Sequence, residues 1–148
     1  KESSAASDVY KRQGRYTEDM TVLIGYLPAP EGKAALEVGF REAHVRGTDA
    51  IVITSPRKGA PDVITKLNEQ AREDILAVAK KHQVQARIEQ PTHEDDLVGT
   101  FNDFAADHGC DLIVIGLRKR SAIGKFILGS QAQRILLEAD VPVLTAKA

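Results

Sequence analysis

From Thr21 onward, short apolar runs alternate with longer stretches in which apolar residues recur every three or four positions. That alternation predicts strands and helices in turn, and so a parallel sheet built from β-α-β units. Five strands are placed: Thr21 to Leu27, ended by Pro28 and Pro30; Asp49 to Thr54, ended by Ser55-Pro56; Gln83 to Glu89; Asp111 to Ile115; and Val141 to Ala146. The third is the least apolar and is expected nearer an edge. Pro142 has no amide to donate, which puts the fifth strand at an edge or the proline at its entrance.

Four helices fill the intervals. Ala35, Leu36, Phe40, Ala43 and Val45 mark the buried face of the first, which Gly39 weakens. Ile64, Leu67, Ala71, Ile75, Val78 and Ala79 carry the second over about five turns. Leu97, Val98, Phe101, Phe104 and Ala105 form the stripe of the third, with Thr92 as its expected cap and Asp95 at the third position. Ile135, Leu136 and Ala139 serve the fourth. The fold class is therefore α/β: an open five-stranded parallel sheet, order 3-2-1-4-5, with helices on both faces. In such a sheet ligands settle beyond the carboxyl ends of the strands, where strand order reverses. Here that point lies between the first and fourth strands, with Tyr26 and Leu27 on one lip. Arg57 and Lys58 lie at the same end, either widening a positive rim or forming an ordinary charged turn.

Opposite that lip runs Gly116-Leu117-Arg118-Lys119-Arg120-Ser121-Ala122-Ile123-Gly124-Lys125-Phe126-Ile127-Leu128-Gly129-Ser130, a glycine-punctuated basic loop between a buried strand and a helix start. Free amides and the helix dipole favour an anion there, and Arg118, Lys119, Arg120 and Lys125 add positive charge. The same residues have plainer roles. Ser130 with Gln133 makes a capping box without any ligand, and Gly116, Gly124 and Gly129 can serve only as turn formers.

Bulk properties narrow the classes. The chain has 148 residues, 43% of them hydrophobic, which suits one globular domain. A net charge of −1 gives no global field for nucleic acid or anionic lipid, and no apolar run reaches the length of a membrane span. The single cysteine, Cys110, forms no internal disulfide, which fits a reducing, cytoplasmic setting; it reads as a small buried residue rather than a nucleophile. Lys1 to Asp19 lack apolar periodicity and are read as a non-native or disordered leader, the domain running from Met20 to Ala148. His93-Glu94-Asp95-Asp96 reads as a charged first helical turn, since consecutive positions point around a helix, and no metal site is assigned. His44, His82 and His108 fall near helix ends.

The spacing of Gly116 and Gly129-Ser130, followed by Ile135-Leu136 and Pro142-Val143-Leu144, resembles the universal stress protein family. The resemblance covers most of Met20 to Ala148 and is most specific in the carboxyl-terminal third. It implies an adenine nucleotide alpha hydrolase-like domain, commonly a homodimer paired through the last strands. In nucleotide-binding members the pattern G-x2-G-x9-G-[S/T] holds ATP, its last glycine and hydroxyl residue at the phosphates. Gly116, Gly129 and Ser130 match that pattern. Its second glycine falls on Lys119, and the acidic residue that often closes the first strand is replaced by Leu27 or Tyr26.

The expected role is a regulatory domain binding ATP, AMP or cyclic AMP at Gly116, Arg118, Lys119, Gly129, Ser130 and Gln131. The alternative is a non-nucleotide-binding dimeric stress-response module. Catalysis is not expected, slow ATP hydrolysis aside. A phosphoacceptor domain needs carboxylates at the strand ends, and an adenylating enzyme needs a glycine-serine loop where this chain has Leu27-Pro28-Ala29-Pro30.

Overall fold

The structure, a computed structural model, describes residues 21–27, 29–61, 67–120, 125–127 and 129–148, the side chains of 119, 120 and 125–127 excepted. The expected leader, Ile64, Leu128 and residues 121–124 lie outside the described residues. In chain order the elements are β1 (Thr21–Gly25), α1 (Pro30–Arg46), β2 (Ala50–Ile53), α2 (Glu69–Lys81), β3 (Ala86–Glu89), α3 (Leu97–Asp107), β4 (Cys110–Arg120), β5 (Lys125–Ile127), α4 (Ser130–Glu138) and β6 (Val143–Lys147).

Five parallel strands lie in the order β3-β2-β1-β4-β6, the arrangement expected from the sequence once the short β5 is set aside. Alternation along the strands splits the core between two faces. Val22, Ile24, Val52 and Val114 pack against Leu36 and Phe40 of α1 and Ile75 of α2. Leu23, Ile53, Ile113 and Ile115 pack against Phe101 of α3 and Ile135 of α4. Pro142 stands at the entrance to β6, where its carbonyl accepts from the Ile113 amide at 3.0 Å. The third strand is shorter than the expected Gln83 to Glu89, because Gln83 takes φ 61° at the end of α2 and the ladder with β2 begins only at Ala86.

The fourth strand is the largest departure. It does not stop at Ile115 but runs to Arg120, and β5 folds back on it antiparallel, pairing Arg118 with Ile127, Lys119 with Phe126 and Arg120 with Lys125. A stretch expected as a loop is partly a hairpin. The β-forming Phe126 and Ile127 supply a partner strand that charge-based reading of the basic run overlooked.

The helices differ from expectation in their margins. Val45 is 74% exposed, since five residues beyond Phe40 the helix has turned its apolar stripe away. Leu136 is likewise 40% exposed, leaving Ile135 as the buried anchor of α4. α1 opens on Pro30, where a missing amide costs nothing, and closes on Gly47, whose φ of 69° is the left-handed value favouring glycine. Gly39, expected to weaken α1, is where the helix comes closest to the sheet: an added Cβ would collide with Ile24.

Candidate functional site

β1 ends at Gly25 whereas β4 continues, so the sheet opens between them at its carboxyl edge. A hollow of about 210 Å³ lies in that opening. Its apolar wall includes Ile53, Leu97, Phe101, Ile115 and Ile135, the upper ends of the α3–α4 face. Glu31, Thr54, Ser55 and Gln131 bring polar groups to the same hollow. Gly25 makes room for it: a Cβ there would stand 3.2 Å from Phe101 Cε2 and 3.3 Å from Ile115 Cγ2. A more open hollow of about 600 Å³ lies at the opposite end of the sheet, beside Thr48, Asp49, Arg87 and His108. Only the smaller one occupies the switch point where open α/β sheets hold ligands.

The residues expected to bind a ligand divide into distinct groups. Gly116 and Gln131 line the hollow. Gly116 is also a packing glycine, because a Cβ there would lie 2.6 Å from the Glu31 carbonyl carbon and run into the carbonyl oxygen. Gly129 and Ser130 sit exposed at the start of α4. Gly129, not Ser130, is the cap residue, with extended φ −64° and ψ 163°, and among the described residues no side chain caps this helix. The expected capping box is thus corrected: Ser130 is already helical, one position too far along to cap. The first bond within the helix is donated by the Gln133 amide to the Gly129 carbonyl at 2.9 Å, so the first-turn amides of Ser130, Gln131 and Ala132 precede the helical ladder, and Gln131 and Ala132 line the hollow.

The basic charges are less mobile than expected. Arg118 Nε donates to Glu31 Oε2 at 3.1 Å, and the Glu31 side chain is only 11% exposed. Lys119 belongs to the β4–β5 ladder, and its side chain lies outside the described residues. Arg57 pairs with Asp95 at 3.0 Å and Lys58 with Glu94 at 3.2 Å, which favours the charged-turn reading over a free positive rim. His93 to Asp95 lie in the loop before α3, so the expected first helical turn is corrected and Thr92 is not the cap. Asp96 caps α3, accepting from the Gly99 amide at 2.8 Å. Among the described residues, no group of three or more His, Cys, Asp or Glu is placed to hold a metal.

Tyr26 contributes mainly structure. Its side chain joins the α1–α2 core, where burial and then the nearby Asp74 raise its phenol above the usual value. Leu27, by contrast, is 56% exposed on the lip of the hollow, as expected.

Residues 20–147 match the sequence profile described as the universal stress protein family. The chain belongs to the universal stress protein family. A universal stress protein from Mycolicibacterium smegmatis is 35% identical over 129 residues, covering 85% of this chain and 96% of the relative. The solved universal stress protein of Archaeoglobus fulgidus superposes with a TM-score of 0.73 at 26% identity, covering 86% of this chain and 98% of its own. A structure described as that organism's universal stress protein in complex with dAMP gives 0.69 at 22% identity, over 86% and 98% of the two chains.

Within this universal stress protein, sequence reading missed Glu31, Ser55 and Phe101. Glu31 had a visible signal: it is the acid of a first helical turn directly after Pro30, four residues beyond the position searched for a carboxylate. Ser55 follows β2 at the same sheet edge, so the rule that drew attention to Gly116 applies to it equally. Phe101 was read as core, and it is; the hollow simply ends on it.

No described helix is long and apolar enough to cross a membrane.

Proposed function

We propose that this universal stress protein binds an adenine nucleotide without turning it over, the base in the hollow and the phosphate at the start of α4. The observation that carries this reading is the juxtaposition of an apolar hollow with a bare helix start. A volume of about 210 Å³ is smaller than the usual site for a whole drug-sized ligand, so it suits a base with the charged part left outside. The amides of Ser130, Gln131 and Ala132 supply donors and a favourable dipole for that charged part. The related structure with dAMP supports an adenine ligand of this shape. Arg118, released from Glu31, and Lys119 add charge as the phosphate arrives.

The regulatory form is a homodimer paired through β6, which among the described residues has β4 on one side and no strand on the other. Light scattering that found only monomer at working concentration would count against the dimer.

Isothermal titration with ATP, AMP and cyclic AMP tests the ligand. Saturable heat displaced by a second adenine nucleotide is the expected result, and no heat at millimolar concentration overturns the reading. A specific observation favours the alternative of a non-nucleotide module: Gly116 is consumed by packing against Glu31 and Arg118 by pairing with it. Under that alternative, Lys119→Gly gains nucleotide affinity that the native chain lacks.

A further inference from the structure

Ser55 stands on the wall of the hollow at the carboxyl end of β2, and its hydroxyl lies 3.1 Å from His93 Nδ1. The main chain of His93 is fixed to the same loop: its amide donates to the Pro56 carbonyl at 3.0 Å, and its carbonyl accepts from the Lys58 amide at 2.7 Å. The Arg57–Asp95 and Lys58–Glu94 pairs close the clasp outside. Two loops are thereby tied together behind one side chain on the wall of the hollow, which Glu31, Thr54 and Gln131 also line. Neither helix capping nor solvation of charge requires that arrangement.

We propose that Ser55, with its hydrogen-bond polarity set by His93, is the specificity-determining residue for the edge of the bound base. The proposal rests on the nucleotide reading and deepens it. A serine hydroxyl has one proton to give. When Nδ1 of a neutral imidazole carries its lone pair toward Ser55, the hydroxyl donates to it and turns lone pairs toward the hollow. The site then accepts from an amino group, as on adenine, and meets the 6-oxo group of hypoxanthine lone pair against lone pair. In the opposite tautomer Nδ1–H donates to Ser55, the hydroxyl proton turns toward the hollow, and the preference moves to the oxo base.

The charged groups around His93, among the described residues, are Arg57 and Lys58 from the loop after β2, Glu94, Asp95 and Asp96 on its own segment, and Arg134 of α4, 3.8 Å from Asp96. Glu31 faces the hollow from α1 and is paired with Arg118. The loop charges pair with one another, leaving Ser55 as the side-chain partner of the imidazole.

Full-length protein titrated with AMP and with IMP tests this. The phosphate is common to both ligands, so its contribution cancels in the affinity ratio. The native chain is expected to prefer AMP by about tenfold, the scale of one mismatched buried hydrogen bond. Ser55→Ala brings the ratio close to unity, and His93→Ala, which leaves the hydroxyl free to donate or accept, lowers it as well; thermal melts confirm that both variants fold. A ratio near unity in the native chain while both ligands bind, or one that Ser55→Ala leaves unchanged, overturns the proposal. Absence of binding by either ligand to the native chain overturns the nucleotide reading itself, and this proposal with it.

Discussion

Gly116 and Gly129 bracket the same basic stretch and match the same family spacing, yet their surroundings are opposite. A Cβ on Gly116 would stand 2.6 Å from the Glu31 carbonyl carbon and 2.9 Å from its Cβ, while one on Gly129 would meet none of the described residues within 4 Å. The first glycine lets the start of α1 rest directly on β4. The second leaves the start of α4 open. Glycine spacing alone therefore reports two different requirements, a packed seam and an accessible helix end, and only the environment of each position separates them.

The largest effect expected from that difference is on stability. Gly116→Ala forces backbone against backbone, which no rotamer change relieves, and is expected to lower the unfolding free energy by about 3 kcal/mol or more. Gly129→Ala should cost only about 0.5 kcal/mol, the margin between glycine and alanine at a helix cap. Urea denaturation of the two variants measures both, and equal losses would remove the distinction. Cys110, at the other end of β4, supplies a second reading. Its thiol is 5% exposed, and burial pushes it up to about 11, so alkylation in the folded state is slow. In Gly116→Ala, labelling should quicken by about a hundredfold as opening becomes easier; in Gly129→Ala it should hardly change.

A second substitution separates stability from binding at the open end. Gly129→Asp provides the cap that α4 lacks and a charge favourable to its dipole, so the melting temperature should rise slightly, by the equivalent of about 0.5 kcal/mol. The same carboxylate stands where the phosphate is proposed to bind. Nucleotide affinity should fall at least about tenfold, roughly the 1.4 kcal/mol of one lost charged contact. A parallel fall in stability and affinity would mean that Gly129, too, is a packing residue.

The contrast also shows where sequence reading reached and where it stopped. The central strands were legible as short apolar runs because Val22, Ile24, Val52 and Val114 face one core and Leu23, Ile53, Ile113 and Ile115 the other, so burial on both faces marks every position. The hairpin of β4 and β5 was hidden, because Arg118 to Arg120 show no apolar alternation and their pairing depends on a partner strand. The place of the site followed from topology, but its wall did not: Phe101 looks like any core residue, and Ser55 becomes informative only once His93 is seen beside it across 38 residues of chain. The ion partners of Arg118 and Lys58 were not legible because partners distant in sequence leave no local trace.

A smaller effect compares the packed contact of α1 with an exposed one on the same helix. Glu37 accepts from Lys81 Nζ at 2.8 Å and lies 2.8 Å from His82 Nε2; its side chain is 46% exposed. The hydrogen bond from Lys81, then that from His82, hold its carboxyl below the ordinary glutamate value of 4.5. A depressed folded value means that the contribution is present above the unfolded value and is lost as pH falls through the folded one. Glu37→Gln should therefore cost under about 1 kcal/mol near neutrality, screened further by salt. The variant and the native chain should converge in stability as pH falls through that lowered folded value. A loss rivalling that of Gly116→Ala would place an exposed ion pair on the level of a backbone contact.

The smallest effect falls on Ser130. Asn68 and Asp96 are true caps, accepting from Ala71 and Gly99 amides at 2.8 Å each, and removing such a cap costs about 1 kcal/mol. Ser130 makes no such bond and already lies inside α4. Ser130→Ala should leave stability unchanged or raise it by a few tenths of a kcal/mol, since alanine is the better helix former. If its hydroxyl meets the phosphate, affinity should still drop severalfold, the modest net value of one hydrogen bond to a charged group. A stability loss near 1 kcal/mol with unchanged binding would restore the capping box and withdraw Ser130 from the open rim. A drop in affinity alone would make Ser130, beside Gly129, part of the surface that Gly116 only supports.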